Sequence, residues 1–470
     1  MKPSPPIPWK RWTIVLVPGA LLYFVPIPGF TPVQQHLLAV FLATVVSLVA
    51  QPVPMGVSLM VALAVLGLTR TVPANKVLSG FSNQTVWLIF TAFLFARAVT
   101  ATGVGMRIAY LFIRRFGHSS LTLGYSVAAS DLVLAPFVPS DTARGGGIIY
   151  PITRSLAAVF DSAPGPTAAR LGTFLILVGY HATYTSSGMF LTSMAANPLI
   201  AEFALKIAHV ELTWIRWALG AAVPGMLSMI LVPYLLYRMY PPEIRNTEAA
   251  RTMANEELHR MGRMSRDERW LWVILIAVMA GWVTSPIHGV PNAFVALAGV
   301  SAMLIFRVLS WQDLLSEHKA WDALVWFAPL LMMADQLQES GVIAIISKSM
   351  FVHIKGWPWG IALFVLVTAY LYIHYAFASM TAQITALYPS FLAAALLTGA
   401  PPLLAALPLA YFSNLNACLT HYGTGSAPVY FGAGYVSQAN WWKIGFIVSV
   451  VNIVFWLGVG PLWWKLLGFW

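Results

Sequence analysis

Apolar runs bounded by proline, glycine or small polar clusters fill almost the whole chain, and charge is confined to a few short stretches. Their lengths and spacing predict a first helix near 12–28, then helices near 33–50, 53–69 and 84–101. A basic amphipathic stretch at 104–117 follows, then a hairpin at 121–160, a broken helix at 171–205 and a helix near 213–238. After one strongly polar segment the order recurs, with helices near 270–285, 291–308 and 321–337 and a stretch at 341–353. A hairpin at 357–398, a broken helix at 401–437 and a last helix at 441–468 complete it. Apolar cores such as 13–25, 35–50, 55–68, 270–283 and 444–457 approach, with their flanks, the ~20 residues a helix needs to cross a bilayer. The alternation of a β-barrel is absent, so backbone polar groups must be satisfied within helices. The expected organisation is an N-terminal helix at 1–30, a first repeat at 31–238, a cytoplasmic linker at 239–269 and a second repeat at 270–470.

Composition places this pattern in a membrane. Hydrophobic residues make up 59% of the chain and charged ones 9%, whereas a soluble domain carries about 25% charged residues. Mean hydropathy is +0.75. The fold class expected is therefore an all-α polytopic membrane protein with about 11 transmembrane helices and two re-entrant hairpins. With a cytoplasmic N-terminus, six spans precede the linker and five follow it, so the repeats are inverted relative to each other and the C-terminus lies outside. Of the lysines and arginines, 18 then fall inside, among them Lys2, Lys10, Arg11, Arg107 and the seven arginines of 238–269. Seven fall outside, and Arg97 and Arg144 lie at membrane depth. That bias fits the positive-inside rule, which accounts for the net charge of +11 without a nucleic-acid partner. The single cysteine, Cys418, excludes internal disulfides and thiolate metal clusters. No Arg/Ser-rich transit segment precedes the first apolar run and no small-residue cleavage site follows it, so the first helix is expected to be retained. Trp441, Trp442, Trp463, Trp464 and Trp470 read as interfacial anchors of the last helix.

Two polar signatures stand half a chain apart. Ser140-Asp141-Thr142-Ala143-Arg144 leads to Tyr150-Pro151, and Ser379-Met380-Thr381-Ala382-Gln383 leads to Tyr388-Pro389. Trp87 precedes Thr102-Gly103-Val104 much as Trp326 precedes Ser340-Gly341-Val342. Pro136 and Pro139 cannot continue a helix, so the first hairpin arm ends there, and Ser140, Asp141 and Thr142 are good caps for a new helix from about Ala143. Such a tip offers free N–H groups and a positive helix end to an anion. Ser140 and Thr142 add hydroxyl donors, and Ser379 and Thr381 repeat the arrangement. Two facing tips suit a molecule with a carboxylate at each end. The simpler alternative is a pair of capped turns.

Each hairpin is followed by a helix expected to break. The first reads Thr185-Ser186-Ser187-Gly188, then Leu191-Thr192-Ser193, then Asn197-Pro198. The second reads Leu419-Thr420-His421-Tyr422-Gly423-Thr424-Gly425-Ser426, then Pro428. Unwound backbone at membrane depth is tolerated where it is buried in protein or lines a cavity, and discontinuous helices mark transporter sites. A kink filled by Ser/Thr back-bonding is the rival reading of the first. Thr192, Ser193, Asn197, Thr420, His421 and Thr424 are thus candidate contacts. Arg144 is a candidate because an ionisable side chain at membrane depth is costly; it supplies a positive charge or pairs with Asp141. Asp141 caps a helix or holds a cation or proton. His421 either titrates near neutrality or is structural. No HExxH, Walker or GxSxG pattern occurs, and the histidines lack metal spacing, so neither an enzyme nor a cofactor is expected.

These residues carry a resemblance. Pro139-Ser140-Asp141-Thr142-Ala143-Arg144-Gly145-Gly146-Gly147 resembles the first-hairpin motif of the divalent anion:sodium symporter superfamily. Phe377-Ala378-Ser379-Met380-Thr381-Ala382, Leu419-Thr420-His421-Tyr422-Gly423-Thr424, Pro428-Val429-Tyr430-Phe431-Gly432 and Trp87-Leu88-Ile89-Phe90-Thr91-Ala92-Phe93 are similar to one branch of it. That branch holds plastid 2-oxoglutarate/malate translocators and bacterial citrate/succinate and tartrate/succinate antiporters, and the likeness spans roughly 30–470. It implies a homodimeric elevator whose hairpins and broken helices carry dicarboxylate past a scaffold. Symporters of the superfamily use Ser-Asn-Thr at both tips, the asparagine helping to build sodium sites. Met380 is a poor sodium ligand and Arg144 follows the first tip, which favours sodium-independent exchange; Asp141 stands where the branch usually has asparagine and reopens cation coupling.

The reading is a secondary transporter exchanging C4–C6 di- or tricarboxylates, such as 2-oxoglutarate, malate, succinate or citrate. The alternative is sodium- or proton-coupled symport. Partners expected are the dicarboxylate, membrane lipid and a second copy of the chain. The expected location is the inner (plasma) membrane of a bacterium in preference to a plastid.

Overall fold

Every regular element in residues 8–470, which this computed structural model describes, is a helix or helical turn. An antiparallel bridge between Ser119 and Asn246 is the one isolated β contact among them. Lys2 and the start of the expected N-terminal segment lie outside the described residues. Local chemistry sets many of the boundaries. Thr31 and Gln34 form a capping box ahead of Pro32–Ala50, Ser119 and Thr122 one ahead of Ser120–Leu134, and Ser265 and Glu268 one ahead of Arg266–Val283. Gly103 (φ 78°) and Gly341 (φ 82°) turn the chain in the left-handed region between helices, so the Thr-Gly-Val and Ser-Gly-Val pair marks the same joint twice.

Eight helices among the described residues are long and apolar enough to cross a membrane. Trp9–Phe24 falls short at 16 residues. Arg266–Val283 opens on the charged turn Arg266-Asp267-Glu268-Arg269. Both hairpin arms of the second half, Trp359–Ala376 and Met380–Leu397, qualify. The linker is docked on one face: Glu248–Met261 buries Ala250, Ala254 and Leu258. Arg107 Nε lies 2.7 Å from Glu268 Oε1, and Thr247 Oγ1 donates to the Gly117 carbonyl at 2.9 Å. Arg97 pairs with Asp313 at 3.1 Å.

Gly172–Met189 is buried along almost its whole length and packs against Pro402–Leu415. The first of these helices differs from expectation. Thr185-Ser186-Ser187-Gly188 remains helical, because the Thr185 and Ser187 hydroxyls donate to the carbonyls of His181 and Thr183 one turn back. The break lies later, at 190–196, before Asn197–Ala208. The second break, at 420–426, separates the short turn Asn416–Leu419 from Ala427–Phe431. The same series of turns and bends leads into each new helix. The tryptophans differ too. Trp441 and Trp464 are buried rather than interfacial; Trp441 packs on Tyr180 at 4.8 Å, and Trp464 donates to the Gly220 carbonyl at 2.8 Å.

Candidate functional site

At the first tip the arm Ser120–Leu134 ends in a tight turn, Ala135–Phe137, as its prolines dictate. Ser140 Oγ then accepts from the Ala143 amide at 3.2 Å, and its carbonyl accepts from the Arg144 amide at 2.8 Å. The new helix begins as a wide π turn, Thr142–Ile149, a form that accumulates at functional sites. Gly145 sits in that turn because an added Cβ would come within 2.6 Å of Thr183 Cγ2.

Arg144 is fully buried and does not pair with Asp141. Its partner is Asp131, 3.2 Å from Nε, itself fully buried on the hairpin arm. Nη1 donates to the carbonyls of Val138 (2.8 Å) and Ser193 (3.0 Å). Nη2 donates to the Thr183 carbonyl (3.0 Å) and to the hydroxyls of Ser186 (3.1 Å) and Ser187 (2.6 Å). Every guanidinium donor is engaged by protein. One side chain thus ties together arm, tip, neighbouring helix and first break. Asp131 also accepts from Thr183 at 3.1 Å and from Ser186.

Asp141 turns the other way. It is 7% exposed, and its Oδ2 accepts from Ser426 Oγ at 3.1 Å and from Thr424 Oγ1, both on the second break. Thr142 Oγ1 stands 3.5 Å from Asp141 Oδ1, and a Cβ on Gly425 would collide with that hydroxyl. No basic side chain pairs with Asp141 among the described residues, so its neighbours supply hydroxyl dipoles only.

At the second tip Ser379 Oγ accepts from the Ala382 amide at 3.3 Å. Gln383, at the place Arg144 takes in the first signature, is fully buried and donates Nε2–H to the Tyr370 carbonyl at 2.6 Å. Its Oε1 accepts from Asn416 at 2.7 Å and lies 2.5 Å from His374 Nδ1. His374 Nε2 is 2.9 Å from the Gly423 carbonyl. Tyr422 donates to the Tyr375 carbonyl at 2.9 Å. Both tips therefore meet the same stretch, the second at Tyr422 and Gly423, the first at Thr424, Gly425 and Ser426.

The expected residues divide by what remains of their polar atoms. Ser140, Thr142, Ser379, Thr381 and His421 are half-buried and Gly425 is exposed, so these keep surface that the buried candidates lack. Thr192 donates to the Pro136 carbonyl at 2.7 Å and accepts from Trp214 at 3.1 Å. Ser193 donates to the Ser187 and Phe190 carbonyls, both at 2.6 Å. Asn197 donates to the same two carbonyls and accepts from Asn414 at 2.8 Å. These three, with Arg144, hold the first break and tip in shape. Thr420 is buried, and its hydroxyl lacks a partner among the described residues. Among those residues no three of His, Cys, Asp or Glu gather around a point. A cation at Asp141 would thus rest on one carboxylate and hydroxyl oxygens.

Sequence reasoning missed Asp131, Thr183, His374 and Gln383. Asp131 was detectable, being the first acid in the chain and set within an apolar arm. Gln383 was visible as Arg144's counterpart in the repeated signature.

Comparison with known proteins agrees along the full length. The family model described as the sodium:sulfate symporter transmembrane region matches residues 8–470. A putative malate transporter of Bacillus subtilis is 46% identical over 98% of this chain and 98% of its own. A chloroplastic dicarboxylate transporter 1 of Arabidopsis thaliana is 43% identical over 99% of this chain and 85% of its own. Among solved structures, the Alcanivorax borkumensis YdaH transporter, described as having an unusual topology, aligns with a TM-score of 0.56 at 14% identity. That alignment covers 83% of this chain and 87% of the other, a likeness of fold.

Proposed function

Because the chain belongs to the sodium:sulfate symporter family, a branch of the divalent anion:sodium symporter superfamily, we propose that it carries small dicarboxylates across a membrane by exchanging one for another. The observation that carries this reading is the meeting of two capped tips at 422–426. The tips carry the half-buried hydroxyls of Ser140, Thr142, Ser379 and Thr381, of which Thr142 lies against Gly425, and His421 precedes the stretch in the chain. Short neutral donors from opposite tips suit a diacid with a carboxylate at each end, each group held by hydrogen bonds and a helix N-terminus. The relatives' names, malate and dicarboxylate transporter, agree with C4–C6 acids as cargo. Saturated, buried Arg144, Thr192, Ser193 and Asn197 shape this site from behind, and Thr424 and Asp141 join the tip to the break. An elevator movement of the hairpins and broken helices in inverted repeats, a homodimer and a bacterial inner membrane complete the proposal. The test is counterflow: purified protein in liposomes, loaded with one dicarboxylate, should accumulate labelled malate or 2-oxoglutarate without any cation gradient. No accumulation under any internal acid would end this reading.

A second reading has its own observation. Asp141 lacks a cationic partner among the described residues, and an unpaired carboxylate shielded from water is costly beside a dianion. A proton or a sodium ion on Asp141 would remove that cost and couple its movement to the cargo. Uptake that needs a pH or sodium gradient and ignores internal dicarboxylate would favour symport.

A further inference from the structure

We propose that Trp442 is a positioning residue that holds His421 neutral, with its single ring proton on Nε2, so that the second break recognises a carboxylate through an uncharged donor. This deepens the transport reading and rests on it for the identity of the acceptor, but the hydrogen-bond argument stands on geometry alone. Trp442, on the last helix Gln438–Ile453, places its indole Nε1 3.1 Å from His421 Nδ1. An indole N–H has no lone pair to offer and only donates. Nδ1 must therefore be the bare nitrogen. Adding a proton there would set one N–H against another and destroy the bond.

The side chains packed on the ring are aromatic. Its neighbours are Tyr422 of the same break (centroids 5.1 Å apart), Phe431 of the following helix (4.5 Å) and Trp442 itself (6.2 Å). Tyr375 of the second tip reaches this group by packing on Trp442 at 5.6 Å. No carboxylate pairs with His421 among the described residues. An ordinary histidine changes charge near neutral pH and would make anion binding depend on it. A tryptophan-locked one donates the same hydrogen bond throughout. Trp442 touches no substrate in this scheme; it fixes which nitrogen can.

The test compares wild type, Trp442→Phe, and Trp442→Phe combined with His421→Asn, all as full chain in liposomes. The cargo is a dicarboxylate whose two carboxyls stay ionised between pH ~6 and ~8, the window around the ordinary imidazole value. Wild type should show a flat apparent KM. Trp442→Phe should show a KM that falls several-fold as pH drops, since the freed imidazole now gains a proton, and the double variant should be flat again. A flat profile in Trp442→Phe, or a wild-type step that His421→Asn abolishes, would overturn the proposal. Histidine 15N spectra of the wild-type protein, assigned by difference against His421→Asn, give a readout free of transport and of variant folding. They should report the Nε2–H tautomer, and an Nδ1–H or imidazolium signal at neutral pH refutes the lock. If wild type exchanges no dicarboxylate, the transport reading fails while the tautomer result still decides this one.

Discussion

At the first tip one guanidinium, Arg144, reaches the hairpin arm, the neighbouring helix and the break together. At the second, the same three neighbours are reached by two groups: Gln383 holds the arm at Tyr370 and the helix residue Asn416, while His374 holds the break at Gly423. Similar backbone geometry is thus locked by a buried ion pair in one half and by an amide and an imidazole in the other. The lesson is about cost. Taking Arg144 and Asp131 out of water is expensive, and only a complete set of partners offsets it. An amide carries a smaller desolvation penalty and needs fewer partners. The first tip should therefore be the more brittle when one member is removed. With Asp131 and Arg144 cancelling, Asp141 leaves the first tip the more acidic of the two.

The sharpest way to break this comparison is Arg144→Gln, which gives the first tip the second tip's residue. It strands a buried Asp131, and losing one partner of a buried pair costs ~3–5 kcal/mol. Thermal unfolding in detergent should show a large fall in Tm, with exchange lost. Arg144→Gln with Asp131→Asn removes both charges and should fall less than the sum of the singles. An unchanged Tm in Arg144→Gln would mean that the two tips are locked by something other than these side chains.

Next in size is the loss of donors rather than of shape. Ser140→Ala with Thr142→Ala should abolish dicarboxylate uptake while the protein still folds, since a lost helix cap costs only ~1 kcal/mol. Ser379→Ala with Thr381→Ala should do the same if the tips bind opposite ends of one molecule. Full uptake in the first pair, measured in liposomes, would remove the tip assignment. Loss in one pair alone would show that the cargo is held from one side.

His374→Ala should be milder than Arg144→Gln. A neutral imidazole donates one N–H, so its loss leaves one buried carbonyl oxygen, of Gly423 or of Gln383, short of a donor at ~1–3 kcal/mol, and Gln383 Oε1 still accepts from Asn416. A Tm loss equal to that of Arg144→Gln would erase the distinction between a charged and an uncharged lock.

Much of this contrast was legible in the chain and some was not, for physical reasons. Hairpins and breaks announce themselves because Pro136, Pro139 and the Ser/Thr clusters act on adjacent backbone, and periodicity reports local structure well. Partner choice is a tertiary matter. Asp131 and Asp141 are equally acidic on paper, and only the packing of the arm against Gly172–Met189 sends Arg144 to the former. The run at 185–188 misled because hydroxyls that favour turns also bond back within a helix when the helix is fully buried. Trp442 read as an interfacial anchor, and its bond to His421 was not legible because an indole's partner cannot be seen in one dimension.

The smallest expected effect is the most discriminating between exchange and symport. Asp141→Asn keeps the size of the side chain and an oxygen to accept from Thr424 or Ser426, but removes the charge that makes the first tip acidic. In an exchanger the carboxylate serves only to tie the tip to the second break. Exchanging a charge-assisted bond for a neutral one is then worth ~1 kcal/mol, or about fivefold in rate. A dianion loses a repelling neighbour at the same time, which offsets part of that. In a symporter the same substitution removes the site on which a proton or sodium ion would ride. Uptake should then lose its dependence on the gradient altogether, and accumulation above equilibrium should stop. Counterflow of Asp141→Asn at fixed internal dicarboxylate, crossed with sodium and pH gradients, therefore separates a quantitative change from a qualitative one.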